Sequence, residues 1–353
     1  MKKVLFVSRD YTAKGDGGSA VAQRNLSFLK ALGVEVAELT IGTPSLLTRL
    51  KNVLLRESYG DTGTLRRQLR HHLTKDYDFV FFDGAFYGVY LREFARHGFK
   101  TICFFHNVEA EFYRQKYENT RKIQDRVMVG FITHNELCCI QYASYLIALN
   151  ERDSHKLNEI YHRSADFLLP TSFDDIDESK EVKRLDLPEH FLLFVGSNFF
   201  ANREAIDFYA KEIAPSTQLP LIVAGNLSEA YPDKEAHPNI RFVGRVSDLA
   251  PYYVQASAVV APVLSGSGLK TKTVEALRYG KFVIGSPEAF QGVPIDNYPE
   301  AGRVCQSPSE YIQQINHLNV SKLNEPSIRL FEDYFSTNTQ LRRFKDFIQR
   351  ISQ

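Results

Sequence analysis

Short apolar runs alternate with segments of helical periodicity along the chain. In the first half, the runs that predict strands are residues 4–8, 34–40, 79–83, 101–105, 145–149 and 167–169. The segments with a helical period between them are residues 19–32, 46–56, 63–74, 86–97 and 121–142. Because wholly apolar runs are typical of strands buried on both faces, this alternation predicts a parallel sheet covered by helices on both sides.

The same alternation begins again near residue 190. The predicted strands there are residues 191–196, 219–224, 240–243, 258–261 and 282–284, with a helix over 202–213. We therefore predict an α/β fold of two doubly wound, Rossmann-like domains facing across a cleft. Ligands of open parallel sheets bind outside the carboxyl ends of the strands, so the chemistry is expected at those ends.

A polar segment separates the two halves. Residues 170–189 carry two prolines and no apolar period, which is typical of a linker. We predict four parts, which are an N-terminal domain over 1–172, a linker over 173–189, a C-terminal domain over 190–335 and a C-terminal helix over 336–353 that packs back on the N-terminal domain.

The predicted linker contains three close aspartates, Asp174, Asp175 and Asp177. A D-x-D spacing can chelate a metal ion, but a solvated linker has the same composition, and the sequence favours the solvated linker.

Composition narrows the class of protein. A chain of 353 residues fits two domains, and 43 basic against 42 acidic residues leave a formal charge of +1. A protein with a net charge near zero has no long-range electrostatic field that would attract nucleic acid, so any anion site must be local. No apolar run reaches the roughly 18 residues that span a bilayer, and no signal-peptide pattern is present. The four cysteines form no CxxC pair. These features predict a cytoplasmic protein.

The segment VLSGSGLKTKTVEALRYGKFVIG, residues 263–285, contains the main candidate anion site. Gly266 and Gly268 lie in a loop between a predicted strand and a predicted helix. Loop glycines let a ligand approach the backbone, and the free N–H groups of a first helical turn favour a phosphate. Lys270 and Lys272 stand at the helix start, where the helix dipole alone disfavours cations. Their presence indicates an anionic ligand.

Glu275 lies three residues after Lys272 on the same predicted helix. This spacing allows an ion pair with Lys272, and it equally places a carboxylate to accept hydrogen bonds from ribose hydroxyls. A GSG-x-x-x-K-x-x-EA motif is formed by Gly266, Ser267, Gly268, Lys272, Glu275 and Ala276. Together with FVGS at 194–197, Asn202 and residues 239–253, this motif makes the run 191–293 similar to the donor domain of family 4 GT-B glycosyltransferases.

The resemblance implies a retaining glycosyltransferase of the hexosyltransferase type. It would move a sugar from a nucleotide-diphosphate donor to a glycan, lipid-linked or protein-linked acceptor, in cell-surface polysaccharide or glycoconjugate synthesis. Glu275 is implied to bind the donor ribose, and the 266–272 segment, with Leu269, Lys270 and Lys272, to hold the diphosphate. Gly244 and Arg245 are implied to frame the base. Because lysines take the place of a divalent cation, we expect no required metal and no cofactor besides the donor.

Two departures from the family pattern leave alternatives open. Many members carry an E-x7-E pair, and Ser267 occupies the first position here. Members often place Arg and Lys after the first strand of this domain, where Ser197 replaces the Arg and Arg203 lies near the place of the Lys. The missing first glutamate favours a non-catalytic partner subunit as one alternative. A nucleotide-sugar epimerase is another, since the same fold serves such enzymes.

The N-terminal half supplies candidates for the acceptor side. Gly17 and Gly18 precede a predicted helix, where family members have a Gly-Gly loop near the reaction centre. H-N-V-E at 106–109 is similar to the family segment with an active-site histidine, which implies a catalytic role for His106 beside Lys272 and Glu275. Further candidates for acceptor contacts are Asp10, Asp83, Asn107 and Glu109. Asp10, Asp83 and Glu109 could equally each cap a helix.

Residues 45–75 are locally basic, with leucines at helical spacing. This pattern is typical of a solvated amphipathic helix pair. It also fits a peripheral membrane contact, or a site for an anionic, lipid-linked acceptor, on the cytoplasmic face of a membrane.

Overall fold

The structure is a computed structural model, and it describes residues 3–10, 17–58, 60–177, 181–231, 239–265, 269–319 and 323–352. Its contacts divide the chain into two compact units. The first unit comprises Met1–Thr171 and Gln340–Gln353, and the second comprises Ser172–Thr339.

The first unit is built on a six-stranded parallel sheet with the order β2-β1-β3-β4-β5-β6. Its strands are β1 (Lys3–Arg9), β2 (Glu35–Ile41), β3 (Phe79–Asp83), β4 (Thr101–Phe105), β5 (Tyr145–Ala148) and β6 (Phe167–Leu168). Its helices are α1 (Gly17–Ala31), α2 (Leu46–Leu54), α3 (Gly63–Leu73), α4 (Gly88–Arg96), α5 (Glu109–Thr120), α6 (Ile123–Tyr142) and α7 (Glu151–Tyr161).

The central strands of this sheet are buried along their whole length, as their apolar runs predict. Every residue of β3 and β4 is buried, and side chains of alternate residues enter two cores on opposite faces. The sequence pattern did not predict α5 and α7. Both are rich in charged and polar residues and contain few aliphatic side chains. Side-chain capping contributes to α7, where Asn150 Oδ1 accepts from Asp153 N at 2.9 Å.

The second unit repeats the architecture with the order β12-β11-β10-β7-β8-β9. Its strands are β7 (Leu192–Val195), β8 (Leu221–Ala224), β9 (Ile240–Gly244), β10 (Ala258–Ala261), β11 (Val283–Gly285) and β12 (Gly302–Val304). Its helices are α8 (Phe200–Phe208), α9 (Ala250–Gln255), α10 (Thr271–Arg278), α11 (Pro308–Asn316) and α12 (Glu325–Tyr334). The sequence pattern missed β12, since its three residues include a glycine and an arginine and form no apolar run.

The last helix, α13 (Thr337–Ile351), packs with the sheet of the first unit. Phe347 stacks on Phe167 with ring centroids 4.6 Å apart, and Phe344 meets Phe81 edge-on. At the start of the predicted linker, Phe173 N donates to Phe335 O at 2.9 Å. The start of that segment is therefore tied to the chain just before α13.

Candidate functional site

A cavity of about 520 Å³ lies in the second unit, where strands β7, β8 and β9 end and α10 begins. We call it the α10 cavity. Its lining residues are Val195, Gly196, Ser197, Asn202, Gly225, Asn226, Arg245, Val246, Leu249, Thr271, Lys272 and Glu275. The volume falls within the range of ligand pockets, and the position matches the carboxyl ends of the strands, where open parallel sheets bind ligands.

Two glycines bring the ends of β7 and β8 together at this cavity. Gly225 has a φ of +117°, and a Cβ added to it would lie 2.1 Å from the carbonyl oxygen of Gly196. Any side chain at Gly225 would therefore push these strand ends apart. The sequence analysis did not select Gly225, although its place directly after an apolar strand was a usable signal.

Lys272 is a buried cation in the wall of the α10 cavity, with 9% of the residue exposed. Its Nζ donates to Asn202 Oδ1 at 2.5 Å and lies 4.0 Å from the ring centroid of Phe194. Burial, with the charge of Lys270 as a smaller cause, lowers the pKa of Lys272 to about 7. An anionic ligand in the cavity would offset this cost of burying the charge.

Asn202 fixes the position of the Lys272 ammonium. While its Oδ1 accepts from Lys272, its Nδ2 donates to Ser197 O at 2.9 Å, so the amide is held from both ends. The sequence analysis included Asn202 only as part of a matching segment and did not give it a role. The contact joins residues 70 apart in the chain, so spacing in the sequence gives no sign of it.

Glu275 lies one turn after Lys272 and also lines the α10 cavity. Its Oε2 accepts from the hydroxyl of Tyr253 at 3.3 Å, and the Tyr253 ring stacks on Tyr279 with centroids 4.9 Å apart. Burial raises the pKa of Glu275. No ion pair within 4.0 Å joins Glu275 to Lys272 in the described part of the chain, which leaves the carboxyl available to a ligand.

The other predicted donor residues have different surroundings. Ser197 and Arg245 are exposed and line the cavity, and Gly244 precedes Arg245 with a φ of +80°. Arg203 is exposed and is not among the lining residues, and its carbonyl oxygen accepts from the hydroxyl of Tyr231 at 3.1 Å.

On the loop before α10, Lys270 Nζ forms an ion pair with Glu288 Oε1 at 2.7 Å. Leu269 packs at the margin of a core cluster of the second unit. Gly266, Ser267 and Gly268 lie outside the described residues.

In the first unit, His106 and Asp83 form a pair at the carboxyl ends of β4 and β3. His106 Nε2 lies 3.1 Å from Asp83 Oδ2, and Asp83 Oδ1 accepts from Asn25 Nδ2 at 2.8 Å. The His106 ring also meets Phe104 edge-on, with centroids 4.9 Å apart. The Asp83 side chain is fully buried, and the His106 side chain is 15% exposed. The carboxylate of Asp83 therefore orients the imidazole from the buried side, and part of the ring remains accessible to solvent.

Arg24 extends this polar network away from His106. Its Nε donates to Asn25 Oδ1 at 3.0 Å, and its guanidinium donates to the carbonyl oxygens of Leu169 and Pro170. Burial lowers the pKa of Arg24 to about 9, and the Asp83 carboxylate partly opposes this shift. The network connects α1 to the strand ends of the first unit.

The remaining acceptor-side candidates lie beside this pair. Asn107 Nδ2 is 3.4 Å from Glu109 Oε1, and Glu109 is the first residue of α5. Burial raises the pKa of Glu109, while Asn107 and His106 act in the opposite direction. Gly17 and Gly18 are the first residues of α1, and the loop before them, residues 11–16, is outside the described part of the chain.

Among the aspartates of the predicted linker, Asp175 forms local contacts within the second unit. Asp175 accepts from Asn338 Nδ2 at 2.8 Å through its carboxylate and from Arg278 through its carbonyl oxygen. Among the described residues there is no group of three or more His, Cys, Asp or Glu side chains placed to hold a metal ion. Within those same residues, no helix combines the length and apolar character needed to cross a bilayer.

A family model agrees with this location of the cavity. The model described as Glycosyl transferases group 1 matches residues 189–319, less than half of the chain. Every residue that lines the α10 cavity lies inside the matched segment.

Solved structures of other proteins share the fold over nearly the whole chain. The Anabaena protein HepE in complex with UDP superposes with a TM-score of 0.67 at 13% identity, covering 99% of this chain and 100% of that chain. The lipopolysaccharide outer core galactosyltransferase WaaB gives a TM-score of 0.63 at 13% identity, covering 99% of both chains. These likenesses confirm the predicted fold class, which is an α/β fold of the GT-B type with two Rossmann-like domains.

A curated relative has no established activity. The uncharacterized 44.6 kDa protein in the cps region of Klebsiella pneumoniae is 23% identical over 349 residues, covering 83% of this chain and 84% of that protein.

Proposed function

We propose that the chain is a glycosyltransferase that binds a nucleoside diphosphate sugar in the α10 cavity. The observation that carries this proposal is one cavity with the buried ammonium of Lys272 at a helix start and the carboxyl of Glu275 one turn later. A cation beside free helical N–H groups stabilises a diphosphate, and a nearby carboxylate accepts hydrogen bonds from ribose hydroxyls.

The comparisons favour particular substrates. HepE was solved with UDP and with UDP-glucose, and WaaB is described as a lipopolysaccharide galactosyltransferase. We therefore propose UDP-hexoses as the first donors to test. The relative from a cps region and the lipopolysaccharide enzyme support a glycan or lipid-linked acceptor in cell-surface polysaccharide synthesis.

The proposed reaction retains the configuration of the anomeric carbon. The bond from that carbon to the diphosphate oxygen breaks, the oxygen of an acceptor hydroxyl bonds to the same carbon, and the hydroxyl proton leaves with the diphosphate. Lys272 and the start of α10 stabilise the negative charge that grows on the leaving group. His106, oriented by Asp83, contributes to the transfer step.

A screen of nucleotide sugars against the purified chain tests the proposal. We expect a UDP-hexose to raise the melting temperature and to be transferred to an acceptor or slowly hydrolysed. Conversion of the donor sugar to its epimer without an acceptor would identify an epimerase. Binding without any turnover would identify a non-catalytic partner subunit. If no nucleotide sugar stabilises the chain, the proposed donor site is wrong.

Glu275→Gln is expected to lower the affinity for UDP as well as for the complete donor, by about 1–1.5 kcal/mol, because a neutral amide oxygen replaces a charged carboxylate as the hydrogen-bond acceptor. Titration calorimetry measures both affinities. Glu212→Gln is the matched control, since Glu212 lies in the same unit, forms its ion pair with Lys211 and does not line the α10 cavity. Unchanged UDP affinity in Glu275→Gln would remove Glu275 from the ribose site.

Turnover is expected to survive chelation. In the proposed site, Lys272 and the N–H groups at the start of α10 stabilise the charge of the leaving diphosphate, so a divalent cation is not needed for this role. Activity measured with and without excess EDTA checks this expectation. Complete loss in EDTA, restored by magnesium or manganese, would contradict it and would make Asp175 and Asp177 candidate ligands.

A further inference from the structure

Helix α2 presents leucines to solvent. The residues Leu46, Leu47, Leu50 and Leu54 are 69%, 80%, 53% and 76% exposed, and Leu55, which follows the helix, is 58% exposed. With 3.6 residues per turn, the first four side chains fall within an arc of about 100°. One side of α2 is therefore an open apolar stripe.

Residues outside this stripe attach α2 to the first unit. Asn52 is 3% exposed, and its Nδ2 donates to Asp61 O at 3.0 Å. Val53, at the edge of the stripe, packs against the small apolar cluster that includes Phe131 of α6. A surface helix normally buries leucines and exposes amides, and α2 does the reverse. Packing within the unit does not explain these leucines, and contiguous exposed apolar surface marks an interaction site.

Helix α3 shows the normal arrangement. Its Leu65 and Leu69 are 5% and 2% exposed and belong to the core of the first unit. The basic region over 45–75 therefore has two different parts. Only α2 offers apolar surface to a partner, and α3 is an ordinary amphipathic helix.

The apolar surface continues onto α6. Ile123 and Val127 are 79% and 43% exposed. They lie eight and four residues before Phe131, which puts them on the side of α6 that contributes Phe131 to the cluster packed against Val53. We define the α2 surface as the five exposed leucines of residues 46–55 together with Ile123 and Val127.

Charge decides which partner fits the α2 surface. Residues 45–56 contain Arg49, Lys51 and Arg56 and no acidic residue. Leucines with interspersed cations match an anionic bilayer, because the leucines enter the acyl boundary while the long basic side chains reach lipid phosphates. An apolar protein groove would match the leucines but not the cations.

We propose that the α2 surface docks the chain on an anionic lipid bilayer. The α2 surface lies in the first unit and the α10 cavity in the second, so a failure of this proposal leaves the proposed donor site untouched.

Vesicle flotation tests the docking. The full chain is expected to float with phosphatidylglycerol-containing vesicles and much less with pure phosphatidylcholine, and high salt is expected to weaken the binding. The variant Leu47→Ser/Leu50→Ser/Leu54→Ser is expected to lose at least about tenfold in vesicle affinity, because each leucine inserted into the acyl boundary contributes to binding. Arg49→Gln/Lys51→Gln is expected to lose the preference for anionic vesicles.

Matched control variants test whether vesicle binding depends on the α2 surface or on any exposed leucine. Leu137→Ser and Leu323→Ser remove leucines that are 47% and 57% exposed but lie outside the α2 surface, and both are expected to bind vesicles normally. Unchanged melting temperature of the triple variant shows that it is folded.

Equal flotation of the triple variant and the unaltered chain would overturn the proposal, as would no flotation of either. Self-association in analytical ultracentrifugation that the triple variant abolishes, without vesicle binding, would assign the surface to a second copy instead.

Discussion

Lys272→Met is expected to weaken UDP binding by about 1.5–3 kcal/mol, or roughly 10- to 150-fold, because a charge-assisted contact to the diphosphate is lost. Methionine keeps most of the buried stem that lies against Phe194 and removes the charge. Titration calorimetry measures the effect. The matched control is Lys211→Met, which removes an 82% exposed lysine of the same unit and should leave the affinity unchanged.

The same contact predicts a pH dependence. Burial lowers the pKa of Lys272 to about 7 in the free protein, and a bound diphosphate raises it because the anion favours the charged ammonium. UDP affinity should therefore fall as the pH rises above about 7, where the free protein loses this proton. In Lys272→Met this part of the pH dependence should disappear, while the titration of UDP itself remains common to both proteins.

Stability distinguishes a lost ligand contact from a lost fold. The pKa of Lys272 in the folded chain lies below the ordinary lysine value of 10.5, so between about pH 7 and 10.5 the unfolded chain binds more protons at this site than the folded chain. The buried charge of Lys272 therefore destabilises the folded chain most below about pH 7, and this destabilisation decreases as the pH rises from about 7 to 10.5. Lys272→Met should thus be at least as stable as the unaltered chain near neutral pH without ligand. A folded variant with unaltered UDP affinity would exclude Lys272 from the donor site.

His106→Ala is expected to lower turnover at least about tenfold, a barrier increase of about 1.4 kcal/mol, with little change in nucleotide affinity. His106 is held by the buried carboxylate of Asp83 in the first unit, whereas the proposed nucleotide contacts are all in the second. A decrease in turnover without a decrease in nucleotide affinity is therefore expected for a residue that acts at the transfer step. Steady-state kinetics and calorimetry on the same preparation measure the two quantities.

Two further variants make the His106 result specific. His97→Ala removes an exposed histidine of the first unit and should leave turnover unchanged. Asp83→Asn keeps the shape of the side chain but removes the charge that orients the imidazole, and it should lower turnover in the same direction as His106→Ala. If His106→Ala unfolds the chain, the histidine is structural. If His106→Ala has full activity, the acceptor-side interpretation is wrong.

The sequence by itself determined the fold class and most of the elements. Strands such as β3 and β4 are wholly apolar because both faces of the sheet are covered, and such runs are visible without a structure. The start of α10, with Lys272 and Glu275 three residues apart, was also predicted because a motif within one helix depends only on local spacing. Elements without an apolar run, such as β12, were not predictable in this way.

Only the tertiary structure decided which residues complete the candidate site. Asn202 meets Lys272 across 70 residues and Tyr253 meets Glu275 across 22, and such distant contacts have no periodic trace in a sequence. The same holds for the basic region over 45–75. Helices α2 and α3 have similar leucine-rich, basic sequences, but α3 buries its leucines and α2 exposes them. Which face of an amphipathic helix meets the core depends on the elements packed beside it, and only the folded chain brings those elements together.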